Sequence, residues 1–292
     1  MNVTERFLKY VAFDTQSDEN SESCPSTAKQ KELGAFLVED MKAIGIADAR
    51  MDEYGYVYGS VPGTAEGPVI GLIAHMDTSP DCSGKDVKPR IVDYKGGDLV
   101  LNEAEKIVMK VKDFPSLKWN EGKHLIVTDG STLLGADDKA GVAEILTAVE
   151  ELLAEGGPRV PLRLAFTPDE EVGRGADRFD VKGFGAEFAY TADGGTLGEL
   201  EYENFNAAAA TVVFKGVSIH PGSAKGGWST PCRWPWTSTA CCPATSGPST
   251  PRATRASPCW PTCRAVSRRP GSSISSGTTT ASSSSRRSPA SR

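Results

Sequence analysis

The last 65 residues of this 292-residue chain lack most of the amino acids from which folded proteins are built. After Gly227 there is no Lys, Asp, Glu, Leu, Phe, Tyr, Asn, Gln, Met or His, whereas Ser occurs 16 times and Arg nine times. Such a composition cannot supply an apolar core and is typical of disordered segments. Four of the five Trp and five of the seven Cys nevertheless lie there, which disorder does not explain.

A shifted reading frame accounts for this mixture of residues. Cys and Trp codons both begin with TG, and a frame read one base earlier turns them into Leu, Met or Val codons. We therefore predict that residues 228–292 are a frameshifted, disordered tail without a function of its own. A Cys-rich metal module is the first alternative, but paired C-x-x-C spacing is absent. A basic nucleic-acid-binding tail is the second, and only composition supports it.

The first 227 residues also lack the features of several protein classes. They carry 23 basic and 38 acidic residues, a net charge of −15, which argues against binding to nucleic acid. No apolar run approaches the ~18 residues of a membrane-spanning helix, and the N-terminus does not resemble a signal peptide. Only Cys24 and Cys82 occur here, too few for a disulfide framework. We expect a cytoplasmic protein that does not bind membranes.

Apolar periodicity in this body predicts strands that alternate with helices. Amphipathic helices are expected at the N-terminus, over residues 29–45 and over residues 137–157. The run from Val69 to Ala74 is almost wholly apolar, as expected for a strand covered on both faces. Further strands are predicted in VPLRLAFT and AEFAYT, and hairpins within residues 81–127. This alternation favours an α/β fold.

Four polar groups follow predicted strands or precede a predicted helix. They are His75 with Asp77, Asp137 with Asp138, the run Asp169, Glu170 and Glu171, and Asp193. Each group alone has an ordinary structural interpretation as a hydrogen-bonded His, a helix cap or a polar turn. Four such groups in one domain favour an active site, because ligands of open α/β sheets bind beyond the carboxyl ends of the strands.

The residue types indicate metal-dependent hydrolysis. A His with several carboxylates and no thiolate suits Zn²⁺ or a related divalent ion, whereas pure oxygen ligands favour Mg²⁺ or Ca²⁺. Asp77 is spaced to orient the imidazole of His75. The side chains of Glu170 and Glu171 diverge, so that one can bind metal while the other acts as a general base. These parts suggest a two-metal hydrolase.

In their order along the chain, the motifs HMD, LLGADDKAG, TPDEEVG, ADGG and HPG resemble the zinc exopeptidases and deacylases related to glutamate carboxypeptidase. The resemblance covers roughly residues 1–227, and the hairpin insert with DFPSL favours the tripeptide aminopeptidases of that family. It implies a central mixed sheet flanked by helices in a catalytic domain, residues 1–205, that is incomplete. Residues 206–227 would then begin an inserted α+β lid or dimerisation domain.

The resemblance also implies the metal ligands. His75, Asp137 and Asp193 would bind one zinc ion, and Asp137 would bridge it to a second ion held by Glu171. In the family the second ion takes a further His from the C-terminal part of the catalytic domain. The chain has no His after His220. The resemblance therefore implies that the second metal site lacks a ligand.

The catalytic roles implied by the resemblance fall on three further residues. Glu170 would be the general base, Asp77 would orient the metal-binding His, and His220 would stabilise the tetrahedral intermediate from the lid, often across a homodimer. His124 matches no motif, and we interpret it as structural. The implied reaction releases the N-terminal residue of a tripeptide by attack of a zinc-bridged water. The alternatives are a deacylase or carboxypeptidase of the same family, or an inactive truncated product.

Overall fold

The computed structural model describes residues 1–195, 197–202, 212–215 and 263–266. The chain divides into two compact units, Met1–Glu201 and Tyr202–Arg292. The first unit contains a 3-10 helix at Pro115–Asn120 and four α-helices: α1 (Val3–Tyr10), α2 (Gln30–Ala43), α3 (Ala136–Glu155) and α4 (Val181–Phe184). None of the described helices is long and apolar enough to cross a membrane.

The described residues of the first unit form nine strands, and five of these strands form its central sheet. They are β1 (Arg50–Met51), β2 (Val57–Val61), β3 (Ile70–His75), β4 (Arg90–Asp93), β5 (Leu99–Asn102), β6 (Ile107–Met109), β7 (His124–Val127), β8 (Leu162–Thr167) and β9 (Phe188–Thr191). The sheet order is β1-β2-β8-β3-β9. Strands β8, β3 and β9 run parallel, whereas β1 and β2 are antiparallel to their neighbours. The predicted mixed sheet is therefore confirmed.

In the second unit, the backbone is described for two strands. Strand β10 (Val212–Lys215) pairs in parallel with β11 (Cys263–Val266). Apart from these strands, the expected lid segment 206–227 and the expected tail 228–292 lie outside the described residues. His220 also lies outside them, and its role stays a prediction.

Helices cover both faces of the central sheet, as expected for an α/β fold. On one face, α1, α2 and α3 bury a core with strand residues such as Val57, Leu164 and Phe166. On the other face, Tyr58 and Ala165 pack with Phe184 of α4. Neighbouring residues of one strand thus enter different cores, because successive side chains point to opposite faces. Both layers pack against the sheet beneath the carboxyl ends of its strands.

Two parts of the sheet are less buried than the apolar pattern predicts. In β3, the side chains of Ile70, Leu72 and Ile73 are only partly buried, although the run predicted a strand covered on both faces. Strand β9 is last in the sheet order, and its Phe188 and Tyr190 are exposed. The apolar composition of a segment predicts a strand, but it does not show whether that strand is the last one of its sheet.

The region of predicted hairpins contains one hairpin, formed by β5 and β6, beside a pair of strands distant in sequence, and it has a small core of its own. Strand β4 pairs with β7, and β5 pairs with β6, both antiparallel. Between them Tyr94, Leu99, Leu117 and Val127 are buried together. The apolar lining of this insert continues onto α1 and α3 around a cavity of about 580 Å³.

Gly71 in β3 gives a direct test of how tightly the layers pack. A methyl group at this position would lie 2.7 Å from both Cβ of Ala189 and a ring carbon of Phe184. We expect Gly71→Ala to lower the free energy of unfolding by about 1–3 kcal/mol, the usual effect of overpacking. Urea denaturation would measure it. Gly157→Ala is the matched control, because no atom lies within 4 Å of its methyl position. Equal unfolding midpoints for the two variants would contradict the expectation.

Candidate metal centre

The carboxyl ends of the three parallel strands meet at one edge of the sheet. His75 is the last residue of β3, Glu170 and Glu171 follow β8, and Asp193 follows β9. The start of α3 brings Asp137 to the same place. The parallel register aligns these ends, so that five residues far apart in sequence form one cluster. The sequence predicted this convergence.

The imidazole of His75 lies at the centre of the cluster. Its Nε2 atom is 2.9 Å from Oδ1 of Asp137 and 3.8 Å from a carboxylate oxygen of Glu170 and of Asp193. Glu171 joins the group formed by His75 and Asp137, with ligand atoms all within 4.8 Å of one another. Glu170, which we expect to be the general base, forms a second group with His75 and Asp193, whose ligand atoms also lie within 4.8 Å of one another. The two groups have His75 in common.

Asp77 does more than the sequence indicated. Its carboxylate lies 3.3 Å from Nδ1 of His75, and its backbone oxygen lies 3.0 Å from the same nitrogen. The same carboxylate accepts hydrogen bonds from the backbone N–H groups of Glu170, at 2.9 Å, and Glu171, at 3.2 Å. Asp77 is fully buried. It therefore holds the imidazole and the glutamate turn together, and no feature of residue spacing foretold the second contact.

Asp138 is a supporting residue that the sequence left open. It is buried, and Oδ2 accepts a hydrogen bond from the backbone N–H of His75 at 3.1 Å, while Oδ1 accepts one from Gly141 at 3.2 Å. Burial raises the pKa of Asp138 to about 8, even though His75 and these N–H donors favour its ionised form. The carboxyl group thus joins the end of β3 to the first turn of α3.

Negative charge is concentrated at this edge. Burial, followed by repulsion among neighbouring carboxylates, raises the pKa values of Glu170, Glu171 and Asp193, and the charge of His75 offsets part of the rise. Burial alone would lower the pKa of His75. Its hydrogen bond to Asp77 and the surrounding carboxylates outweigh burial and raise that pKa to about 10. The cluster stabilises positive charge at its centre.

The donor set fits a divalent cation. One imidazole and several carboxylates converge, and no thiolate takes part, which is the ligand chemistry of zinc and related ions. A cation here would relieve the repulsion that raises the carboxylate pKa values. Asp77 contacts Nδ1 of His75, the nitrogen that points away from the carboxylates, and so orients the imidazole as such a site requires.

The remaining histidine of the described chain lies elsewhere. His124 begins β7, its side chain is 76% exposed, and its Nδ1 is 4.0 Å from Asp93. It is not among the described residues grouped around His75. The interpretation of His124 as structural stays a prediction.

Comparisons with known proteins find relatives in the family that the motifs resemble. Residues 128–257 match the model of "Peptidase family M20/M25/M40", a match that ends inside the Ser- and Arg-rich tail. Peptidase T from Alkaliphilus oremlandii (strain OhILAs) is 57% identical over 232 residues, which cover 77% of this chain and 56% of the relative. Peptidase T from Clostridium acetobutylicum is 57% identical over 229 residues, covering 76% and 56%.

The chain therefore spans about half the length of the curated relatives it matches. Among solved structures, a tripeptidase from Staphylococcus aureus subsp. aureus mu50 is similar at 24% identity with a TM-score of 0.48, covering 67% of this chain and 43% of that chain. The chain is thus similar to peptidase family M20/M25/M40 over residues 128–257 and to peptidase T over about three quarters of its own length.

Proposed function

We propose that the first unit is the catalytic part of a zinc-dependent tripeptide aminopeptidase. The convergence of His75 with four carboxylates at one edge of the sheet carries this proposal. His75, Asp137 and Asp193 would hold one zinc ion, and Asp137 and Glu171 would hold the second. The similarity to peptidase T supports the choice of substrate class. Cys24 and Cys82 are free, which suits the reducing cytoplasm.

In this proposal the chain's own residues position the reactants and move one proton. Zinc, when bound, supplies a Lewis acid that polarises the scissile carbonyl and acidifies water. Glu170 accepts a proton from the attacking water and returns it to the leaving amine. Its carboxylate is half exposed and lies 3.8 Å from Nε2 of His75, so that it can reach both the centre and a bound peptide. Asp77 holds the backbone of Glu170 in place.

A panel of peptides tests this function. The full chain, supplied with zinc, would be offered tripeptides with a free amine, the same tripeptides with an acetylated amine, and dipeptides. An aminopeptidase requires the free amine, and chelation of the metal abolishes its activity. Preference for the acetylated peptides would instead identify a deacylase of the same family. Hydrolysis that persists after chelation would contradict the metal-dependent mechanism.

Resequencing of the coding DNA across codons 220–292 tests whether the tail results from a frameshift. It also provides a frame-corrected protein whose activity can be compared with that of the present chain. A one-base insertion or deletion near codon 226, followed by an open frame that encodes a further His, would support the frameshift. The frame-corrected protein would then be tested on the same peptides. Activity in the corrected protein alone would show that the missing ligand and lid limit this chain. Inactivity of both would overturn the proposed function.

Zinc binding is expected to release about one proton at pH 8. Because the pKa of His75 is raised to about 10 in the metal-free chain, its imidazole is protonated at this pH, and a metal ligand must be neutral. Zinc affinity should therefore rise about tenfold per pH unit from pH 7 to 9 and level off above the pKa. Calorimetric titration in buffers of different ionisation enthalpy would count the proton. Binding without proton release would contradict the expectation.

A further inference from the structure

We infer that Ser26 and Gln30 are positioning residues for the metal centre, acting through Asp169 on Glu170 and Glu171. This inference rests on the proposed function, because it assigns these residues to the same metal site. Ser26 precedes α2 and Gln30 opens it, and no motif marked either residue. Their contacts to the glutamate turn supply the argument.

Asp169 is the buried anchor of that turn. Its carboxylate accepts hydrogen bonds from the backbone N–H of Ser26, at 2.7 Å, from the hydroxyl of Ser26, and from Nε2 of Gln30, at 2.8 Å. In return, Oε1 of Gln30 accepts the backbone N–H of Asp169 at 3.2 Å. Asp169 and Gln30 are 0% exposed and Ser26 is 6% exposed. The amide of Gln30 thus holds both the side chain and the backbone of one residue.

The backbone at Asp169 needs such support. Its φ is +60°, in the left-handed region that few residues other than glycine adopt. This conformation turns the chain sharply after β8 and sends Glu170 and Glu171 towards His75. Arg174 helps to close the turn, because its backbone N–H donates to the backbone oxygen of Asp169 at 2.9 Å. The direction of both glutamates therefore depends on the residue before them.

The turn is held from two sides. Asp77 accepts the N–H groups of Glu170 and Glu171 from the β3 side, whereas Ser26 and Gln30 hold Asp169 from the α2 side. The side chain of Glu170 is 52% exposed, so that packing alone does not fix it. The hydrogen bonds from both sides therefore determine the direction of the Glu170 and Glu171 carboxylates.

Metal affinity distinguishes a positioning role from a merely structural one. We would titrate Zn²⁺ into the full chain against a chelating dye, and Co²⁺ with visible absorption, for Gln30→Met and Ser26→Ala. Met matches the volume of Gln but removes both hydrogen bonds to Asp169. Gln30→Met should weaken Zn²⁺ binding by about 10- to 100-fold, as the loss of an outer-sphere partner usually does. It should also change the Co²⁺ absorption, which reports ligand geometry.

Thr147→Val is the matched control. Thr147 is also buried and accepts a hydrogen bond from Nη1 of Arg6 at 3.0 Å, but it lies in the interface between helices. It should lower stability without changing Zn²⁺ affinity or the Co²⁺ spectrum. Urea denaturation of the metal-free proteins separates loss of folding from loss of binding. If Gln30→Met does not fold, Ser26→Ala tests the inference with a smaller change, since the backbone N–H of residue 26 still donates.

The outcomes separate the inference from the proposed function. If the unmodified chain binds Zn²⁺ and both variants bind it equally well, the positioning role is overturned and the proposed function stands. If the unmodified chain binds no Zn²⁺, the proposed function fails in this chain and the inference fails with it. Weaker binding and a changed spectrum in folded Gln30→Met, with Thr147→Val unchanged, would establish the role.

Discussion

His75→Ala is expected to weaken Zn²⁺ binding by about 100- to 1,000-fold. Structural zinc sites bind with about 10–16 kcal/mol shared among about four ligands, so that one ligand contributes about 2.5–4 kcal/mol, and each ~1.4 kcal/mol is tenfold in affinity. No neighbouring side chain can replace the lost nitrogen, because carboxylates supply the other donors of both groups. Competition with a chelating dye would measure the change.

His124→Ala is the control for this experiment. It removes an equal imidazole from an exposed position on β7, and Zn²⁺ affinity should stay unchanged. The metal-free His75→Ala protein should also unfold more easily. In the unmodified chain the charge of the imidazole balances the carboxylates of Asp137, Glu170 and Asp193, and its loss leaves them to repel one another. Equal Zn²⁺ affinity in both variants would remove His75 from the site.

Asp40→Asn is expected to lower the free energy of unfolding by about 3–5 kcal/mol, the usual result when one partner of a buried ion pair is removed. Asp40 accepts hydrogen bonds from Nε of Arg6, at 3.0 Å, and from the hydroxyl of Tyr10. Burial and the hydrogen bond to Asp40 raise the pKa of Tyr10, so that this hydroxyl remains a donor. The substitution leaves the guanidinium of Arg6 without its buried anionic partner.

The network explains why the effect should be large. Arg6 is completely buried, and it also donates to Thr147 and pairs with Glu150 at 2.9 Å. It thereby joins α1 to both α2 and α3. Glu39→Gln in the same helix is the control, because the pair between Glu39 and Lys42 is exposed and worth less than about 0.5 kcal/mol. A shift of the urea midpoint for Asp40→Asn no larger than that of Glu39→Gln would contradict the expectation.

The sequence predicted the site through the ends of its strands. Apolar runs that stop at His75, before Asp169 and before Asp193 identify strands whose ends meet once they lie parallel. The α/β alternation supplies that arrangement, and the structure confirms the mixed sheet. Periodicity likewise predicted α2 and α3, since their apolar spacing is set by the helix itself.

The support beneath the site could not be predicted in this way. Gln30 and Asp169 are hydrogen-bonded across 139 positions of sequence, and neither residue type nor spacing identifies such a partner. The hydrogen bonds that Asp77 accepts from two backbone N–H groups could not be predicted either, because almost any residue supplies such a donor. The exposure of Phe188 and Tyr190 was missed for a related reason. Burial at a sheet edge depends on which strand lies beyond it, and local composition does not contain that information.

Because β9 is the last strand of the described sheet, its position has a thermodynamic consequence for the candidate metal centre. Asp193 follows β9 by two residues, so that any strand that pairs with this edge also restrains a proposed ligand. If pairing increases the affinity for metal, metal must increase the affinity of pairing by the same factor, because linkage is reciprocal. Metal binding and strand pairing along β9 would then be thermodynamically coupled. If the pairing strand belonged to a second copy of the chain, the apparent dissociation constant for zinc would depend on the protein concentration at which it is measured.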